Sequence, residues 1–188
     1  MKIAVYSGSF NPLHIGHLAI LEYLSKDKRF DWVYLVVSPQ NPFKDASNNR
    51  SALERYDAAV DAVTKHPELQ VWVDDIELDM EAPHNTNRTL DALKELEPEN
   101  SYTLIVGADN LESFPRWKDY ERILCEYGIA VYPRKGFDME ELKQRLIDGS
   151  EKGRDFKITL LDAPEVNISS SEIREGQSAG RDMSDYLM

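Results

Sequence analysis

The chain has 188 residues, 41% of them apolar, and a formal charge of −12, which fits one domain spanning residues 1–188 with a real buried core. The acid excess argues against a nucleic-acid partner, because an extended phosphate backbone calls for a basic stripe. It leaves room for a small polyphosphate, since net charge sets solubility and steering while affinity comes from a local cluster in a cleft. The single cysteine, Cys125, cannot form an intrachain disulfide and reads as a small core residue. No signal peptide precedes the first apolar run and no run reaches membrane-spanning length, so the expectation is a cytoplasmic protein without a membrane partner.

Taken in order, Lys2–Tyr6 reads as a strand and Ile15–Ser25 as a helix with Leu18, Leu21 and Leu24 inward. Strands are expected at Trp32–Val37, Gln70–Asp74, Tyr102–Val106, Gly128–Tyr132 and Lys157–Leu161, with Trp32 and Trp72 in the core. Helices are expected at Ala52–Thr64, Asn87–Glu97, Lys118–Glu126 and Met139–Ile147, and Cys125 falls in a helix-like stretch. The segments Asn41–Ser51 and Asp148–Asp155 read as polar loops. Strand followed by helix, repeated, implies an α/β, Rossmann-like, doubly wound parallel sheet. Ligands in such sheets lie beyond the carboxyl ends of the strands, where the strand order reverses. The segments Gly8–His17, Pro39–Lys44, Gly107–Trp117 and Pro133–Lys135 each follow a strand and would converge on that rim.

The most informative of these is GSFNPLHIGH, Gly8 to His17. Gly8 and Ser9 allow close backbone approach, Pro12 restricts the turn, and the helix that follows offers unpaired N–H groups and a positive dipole end to an anion. His14 and His17, three apart, face the same way. A small-residue turn, a helix N-terminus and two imidazoles suit a nucleoside triphosphate. The Gly-Lys-Ser/Thr ending of a Walker loop and the GxGxxG pattern are both absent. A zinc site would want a third and fourth ligand that this segment does not supply, so no protein-held metal is expected. Lys44, Arg134, Lys135 and Arg174 are the candidate cations for the phosphates.

Gly8–His17 resembles the (T/S)-F-(D/N)-P-x-H-x-G-H signature of a nucleotidyltransferase superfamily. Ile168-Ser169-Ser170-Ser171-Glu172-Ile173-Arg174 resembles its second signature, I-S-S-(S/T)-x-I-R. Gly107-Ala108-Asp109-Asn110-Leu111 with Phe114-Pro115-Arg116-Trp117 is similar to the G-x-D-x-L…F-P-x-W pattern of bacterial nicotinate mononucleotide adenylyltransferases. Ser38–Lys44 resembles that family's P-x-N-P-P-(H)-K loop, with Phe43 where His is frequent. Ala82–Leu90 resembles its S-Y-T-x-x-T-L segment, with His84-Asn85 where Ser-Tyr is frequent.

The resemblance implies transfer of the adenylyl group of ATP, with Mg²⁺, to nicotinate mononucleotide in NAD biosynthesis, releasing pyrophosphate. It implies His14, His17 and Arg174 as catalytic residues. ATP would be bound by Gly8, Ser9, Phe10, His14, His17, Gly107, Asp109, Ile168, Ser169, Ser170 and Arg174. The mononucleotide would be bound by Ser9, Asn11, Lys44, Thr86, Trp117, Lys118 and Arg134. Trp117, read as exposed, would offer its face to the pyridine ring, or else cap the core. Asp109 would accept hydrogen bonds from ribose hydroxyls, or cap the turn at Asn110–Ser113. Two other readings stay open: another adenylyl- or cytidylyltransferase such as the phosphopantetheine enzyme, and a nucleotide-binding regulator without turnover. A homo-oligomer is compatible with all of them.

Overall fold

The computed structural model describes residues 1–39 and 51–188. Lys44 and most of the Pro39–Lys44 and Asn41–Ser51 segments therefore lie outside the described residues. Six strands form one parallel sheet: β1 (Lys2–Gly8), β2 (Trp32–Val37), β3 (Val71–Asp74), β4 (Ser101–Gly107), β5 (Ile129–Tyr132) and β6 (Ile158–Leu160). Their order is β3-β2-β1-β4-β5-β6, so the direction of winding reverses between β1 and β4. Strand periodicity divides the side chains between two faces. Ala4, Tyr6, Val33, Leu35, Ala130 and Tyr132 lie on one face with Leu21 and Leu24 of α1 (Ile15–Lys26) and Ala59 and Ala62 of α2 (Ala52–Thr64). Ile3, Val5, Leu104, Val106, Ile129 and Val131 lie on the other with the helices that follow β3, β4 and β5. Those helices are α3 (Ile76–Asp79), α4 (Thr86–Leu96), α5 (Ala108–Ser113), α6 (Tyr120–Arg122) and α7 (Met139–Asp148); α8 (Ser170–Ser178) follows β6. Burial on both faces explains why the strands read as continuous apolar runs. Among the described residues no helix is long and apolar enough to cross a membrane.

Three expectations need correction. Trp32 and Trp72 are 40% and 61% exposed, not core. Val71 and Val73 of the edge strand β3 turn inward, so the period of two sends Trp72 out on the opposite face, which solvent reaches at the sheet edge. The expected helix Lys118–Glu126 is broken up. Asp119 takes left-handed dihedrals (φ 54°), leaving one short α-helical turn, and Ile123–Tyr127 continues as a π-turn closed by the Gly128 N–H on the Ile123 carbonyl at 2.8 Å. Gly128 itself has φ 83°, and a Cβ there would lie 2.7 Å from that of Lys157. Cys125 sits in this π-turn and is half-buried.

Candidate active site

The end of β1 and the start of α1 build the centre of the site. His14 is the N-cap of α1: its Nδ1 accepts the Gly16 N–H at 3.1 Å, while the His14 N–H donates to Nδ1 of His17 at 3.2 Å. Two histidines thus form the reciprocal capping box that Ser and Glu form elsewhere. The rings lie 3.7 Å apart at 31°. Gly16 between them is required by space, because a Cβ there would meet the His14 ring at 2.9 Å. Since each Nδ1 accepts from the backbone, each neutral ring carries its proton on Nε2. His14 is 3% exposed. Burial, with the Arg134 charge second and Glu172 opposing, lowers its pKa to about 4. It is a neutral N–H donor at ordinary pH.

A cavity of about 440 Å³ opens beside the two imidazoles, where the winding of the sheet reverses. Its floor is Tyr6 and Tyr132, whose hydroxyls are 3.4 Å apart across β1 and β5. Arg134 reaches back over the Tyr132 ring, 5.2 Å from the centroid, and its Nε stands 3.8 Å from Asp109 Oδ1. Burial works against the guanidinium charge, but Tyr132 and Asp109 outweigh it and raise its pKa. Pro164–Ser169, ahead of α8, forms a further wall.

The expected residues divide into three groups by location. His14, His17, Asp109, Arg134, Ile168 and Ser169 line the cavity together. Ser170 and Arg174 instead bind the β1–α1 loop: Ser170 Oγ donates to the Pro12 carbonyl at 3.0 Å and Arg174 Nη1 to the Asn11 carbonyl at 2.6 Å. Gly8 ends β1, and Ser9 and Phe10 lead from it into the turn at Asn11 and Pro12; buried Phe10 has φ 44° and packs edge-on against Tyr6 and His17. Gly107 ends β4 and is the N-cap of α5. Asp109 therefore stands inside α5 and makes no cap, which removes that alternative.

The third group is apart from the cavity. Thr86 opens α4, whose N-cap Asn85 makes no side-chain cap bond. Trp117 is half-buried, not exposed: one face stacks on buried Phe114 with centroids 4.6 Å apart. Lys118 beside it is exposed. Asn87 Nδ2 donates to Asp119 Oδ2 at 2.8 Å, linking the start of α4 to the turn carrying Trp117 and Lys118. Motif reading missed Tyr6, Tyr132, Phe137, Glu172 and the Pro164–Asn167 wall. Tyr6 and Tyr132 had a signal, since each is a hydroxyl-bearing ring ending an aliphatic run.

The cytidylyltransferase-like family model matches residues 5–176. A Bacteroides fragilis protein named probable nicotinate-nucleotide adenylyltransferase is 37% identical over 186 residues, covering 99% of this chain and 87% of that one. A Flavobacterium psychrophilum protein of the same name is 38% identical over 175 residues, covering 93% and 86%. Among solved structures, the Plasmodium falciparum nicotinic acid mononucleotide adenylyltransferase complexed with NaAD superposes with a TM-score of 0.78 at 21% identity, covering 99% of this chain and 90% of that one. The same enzyme complexed with APC gives 0.74 at 20% identity, covering 99% and 90%. With the fold, the paired imidazoles at the sheet's switch point and relatives of this identity over nearly the whole length, the chain belongs to the cytidylyltransferase-like family and, within it, to the nicotinate-nucleotide adenylyltransferases.

Proposed function

We propose that this protein transfers the adenylyl group of ATP to nicotinate mononucleotide, in the cytoplasm and as one catalytic domain over residues 1–188. The observation that carries the reading is the histidine capping box: two Nε2–H donors fixed side by side at the mouth of a cavity sized for a nucleotide. A 5′-phosphate oxygen of the mononucleotide attacks the α-phosphorus of ATP in line. A new P–O bond forms as the bond to the bridging oxygen breaks, and pyrophosphate leaves with the electron pair. The nucleophile is already an anion near neutral pH, so no general base is required and catalysis is positioning plus charge stabilisation. His14 and His17 donate to the oxygens on which charge builds as the bridging bond breaks.

Among the described residues no group of three or more His, Cys, Asp or Glu could hold a metal ion. In this reading Mg²⁺ enters with the substrate, as its complex with ATP. Arg174 and Ser170 support the phosphates through the loop they hold, and in this reading Arg174 turns its planar fork from the Asn11 carbonyl and Ser171 Oγ to the β- and γ-phosphates when ATP enters. Asp109 serves the ribose, and Ile168 and Ser169 the adenosine side. Ser9, Asn11, Lys44, Thr86, Lys118 and Arg134 serve the mononucleotide, with the open face of Trp117 for the pyridine ring.

The direct test is pyrophosphate release from MgATP with nicotinate mononucleotide, nicotinamide mononucleotide and phosphopantetheine supplied separately. Fast release with the first is expected. Release with phosphopantetheine alone would assign a different branch of the superfamily, and no release with any would make this a nucleotide-binding protein without turnover.

A further inference from the structure

The carbonyl oxygens of the β1–α1 loop are held from outside by three side chains distant in sequence. Arg174 takes that of Asn11 and Ser170 that of Pro12, as described. The third holder is Arg55 in the first turns of α2, 4% exposed. Its Nη1 donates to the Ser9 carbonyl at 2.5 Å and to the Ser38 carbonyl at 2.8 Å, and its Nη2 donates to the Pro39 carbonyl at 2.7 Å. One guanidinium thus joins the loops that leave β1 and β2, adjacent strands whose ends are also tied by the Ser38 N–H on the Gly8 carbonyl at 2.9 Å.

The orientation of a peptide plane gives this contact its consequence. Across a trans peptide, C=O and N–H point in opposite directions, and the Ser9–Phe10 bond is trans. Fixing the Ser9 carbonyl on Arg55 therefore turns the Phe10 N–H away from α2. Phe10 itself is held at φ 44°, a region that costs free energy for a non-glycine residue and persists only where its surroundings over-determine it. Its buried ring, edge-on to Tyr6 and His17, supplies one such constraint and Arg55 another.

We propose that Arg55 is a positioning residue for adenylyl transfer: it clamps the Ser9 carbonyl against the end of β2 so that the Phe10 N–H is presented to the phosphates of the nucleotide. This rests on the reading of the Gly8–Phe10 segment as the triphosphate site. A planar fork is needed, because a lysine ammonium is a point charge that cannot span three carbonyls in fixed geometry.

Two measurements test it. In Arg55→Lys, kcat is expected to fall about 30- to 100-fold, as for a sub-ångström misplacement of a catalytic group, with KM for the mononucleotide changed less than about threefold. A merely structural loss would lower the folded fraction, read by circular dichroism, and leave kcat per folded molecule at the wild-type value. Independently, with Phe ¹⁵N-labelled, the Phe10 amide of the wild-type protein should shift on addition of inorganic pyrophosphate, and the shift should shrink in Arg55→Lys. Wild-type kcat in the variant, or a wild-type Phe10 amide unmoved by pyrophosphate, would overturn the assignment. The second measurement decides the matter if the variant does not fold. A wild-type protein that shows the shift and releases no pyrophosphate with nicotinate mononucleotide would overturn the substrate reading and leave the Phe10 assignment standing.

Discussion

The phosphate side of the site and the Trp117 side are built differently. Around His14 the polar groups are held from several elements: the imidazole Nδ1 atoms by backbone N–H groups, the loop carbonyls by Arg55, Arg174 and Ser170, and the His14 backbone by an antiparallel bridge to Leu187. Around Trp117 the contacts are fewer. One ring stacks on Phe114, Asn87 bonds Asp119, and the α4 N-terminus has no side-chain cap. Chemistry on a phosphorus centre gains from donors that need no reorganisation as charge moves, whereas recognition of a flat ring needs area and one free face. The rigid half should therefore govern rate, and the lighter half affinity.

The sharpest way to break this contrast is His17→Ala. Turnover should drop about 10³-fold, the cost of losing an oxyanion-type donor, with the fold intact by circular dichroism. An unchanged kcat would remove His17 from the chemistry. Next in size is a pH effect on stability from His14, whose folded pKa of about 4 lies below the value near 6.5 of an unfolded chain. Between those values the unfolded chain binds a proton that the folded protein does not. Stability therefore falls as pH drops from 6.5 towards 4, by up to about 3 kcal/mol at 1.36 kcal/mol per pH unit. Urea unfolding across this window should show the loss in the wild type and a flatter profile in His14→Asn, which keeps an N-cap without a titrating ring. Equal slopes would mean that His14 is not the titrating group. The smallest effect belongs to Trp117→Ala: KM for the mononucleotide should rise about tenfold, as for a lost aromatic stack, and KM for ATP should hold. Equal damage to both constants would make Trp117 a structural residue and erase the distinction between the halves.

What the sequence revealed follows the same divide. All six strands and the helices α1, α2, α4 and α7 were legible within a residue or two, because apolar runs and helical spacing are local signals. The histidine pair and the second signature were legible as motifs, and the structure adds what no motif states: both Nδ1 atoms are consumed by the backbone. Trp72 was misread because hydrophobicity marks a strand but does not say whether a helix covers that face at the edge of the sheet, and Trp32 because it opens β2 one position ahead of the ladder with β3. The π-turn at Ile123–Tyr127 was illegible because it depends on Gly128 passing against Lys157, a contact between distant segments. Arg55 was illegible for a related reason. In sequence it is one charge among Glu54, Asp57 and Asp61 on an amphipathic helix, and only the tertiary fold lays it over the ends of β1 and β2.

The histidine capping box also limits how this protein can diverge. Asn, Asp or Ser at position 14 could start the helix, and a range of side chains could present an N–H to a phosphate, but few can do both from one ring. A substitution that is neutral for folding is thereby exposed to selection on turnover, and one that is neutral for turnover is exposed to selection on folding. Drift at positions 14 and 17 is blocked twice over, whereas the Trp117 turn, lightly tied to its neighbours, is the part of the site on which a change of acceptor substrate could be tried without dismantling the rest.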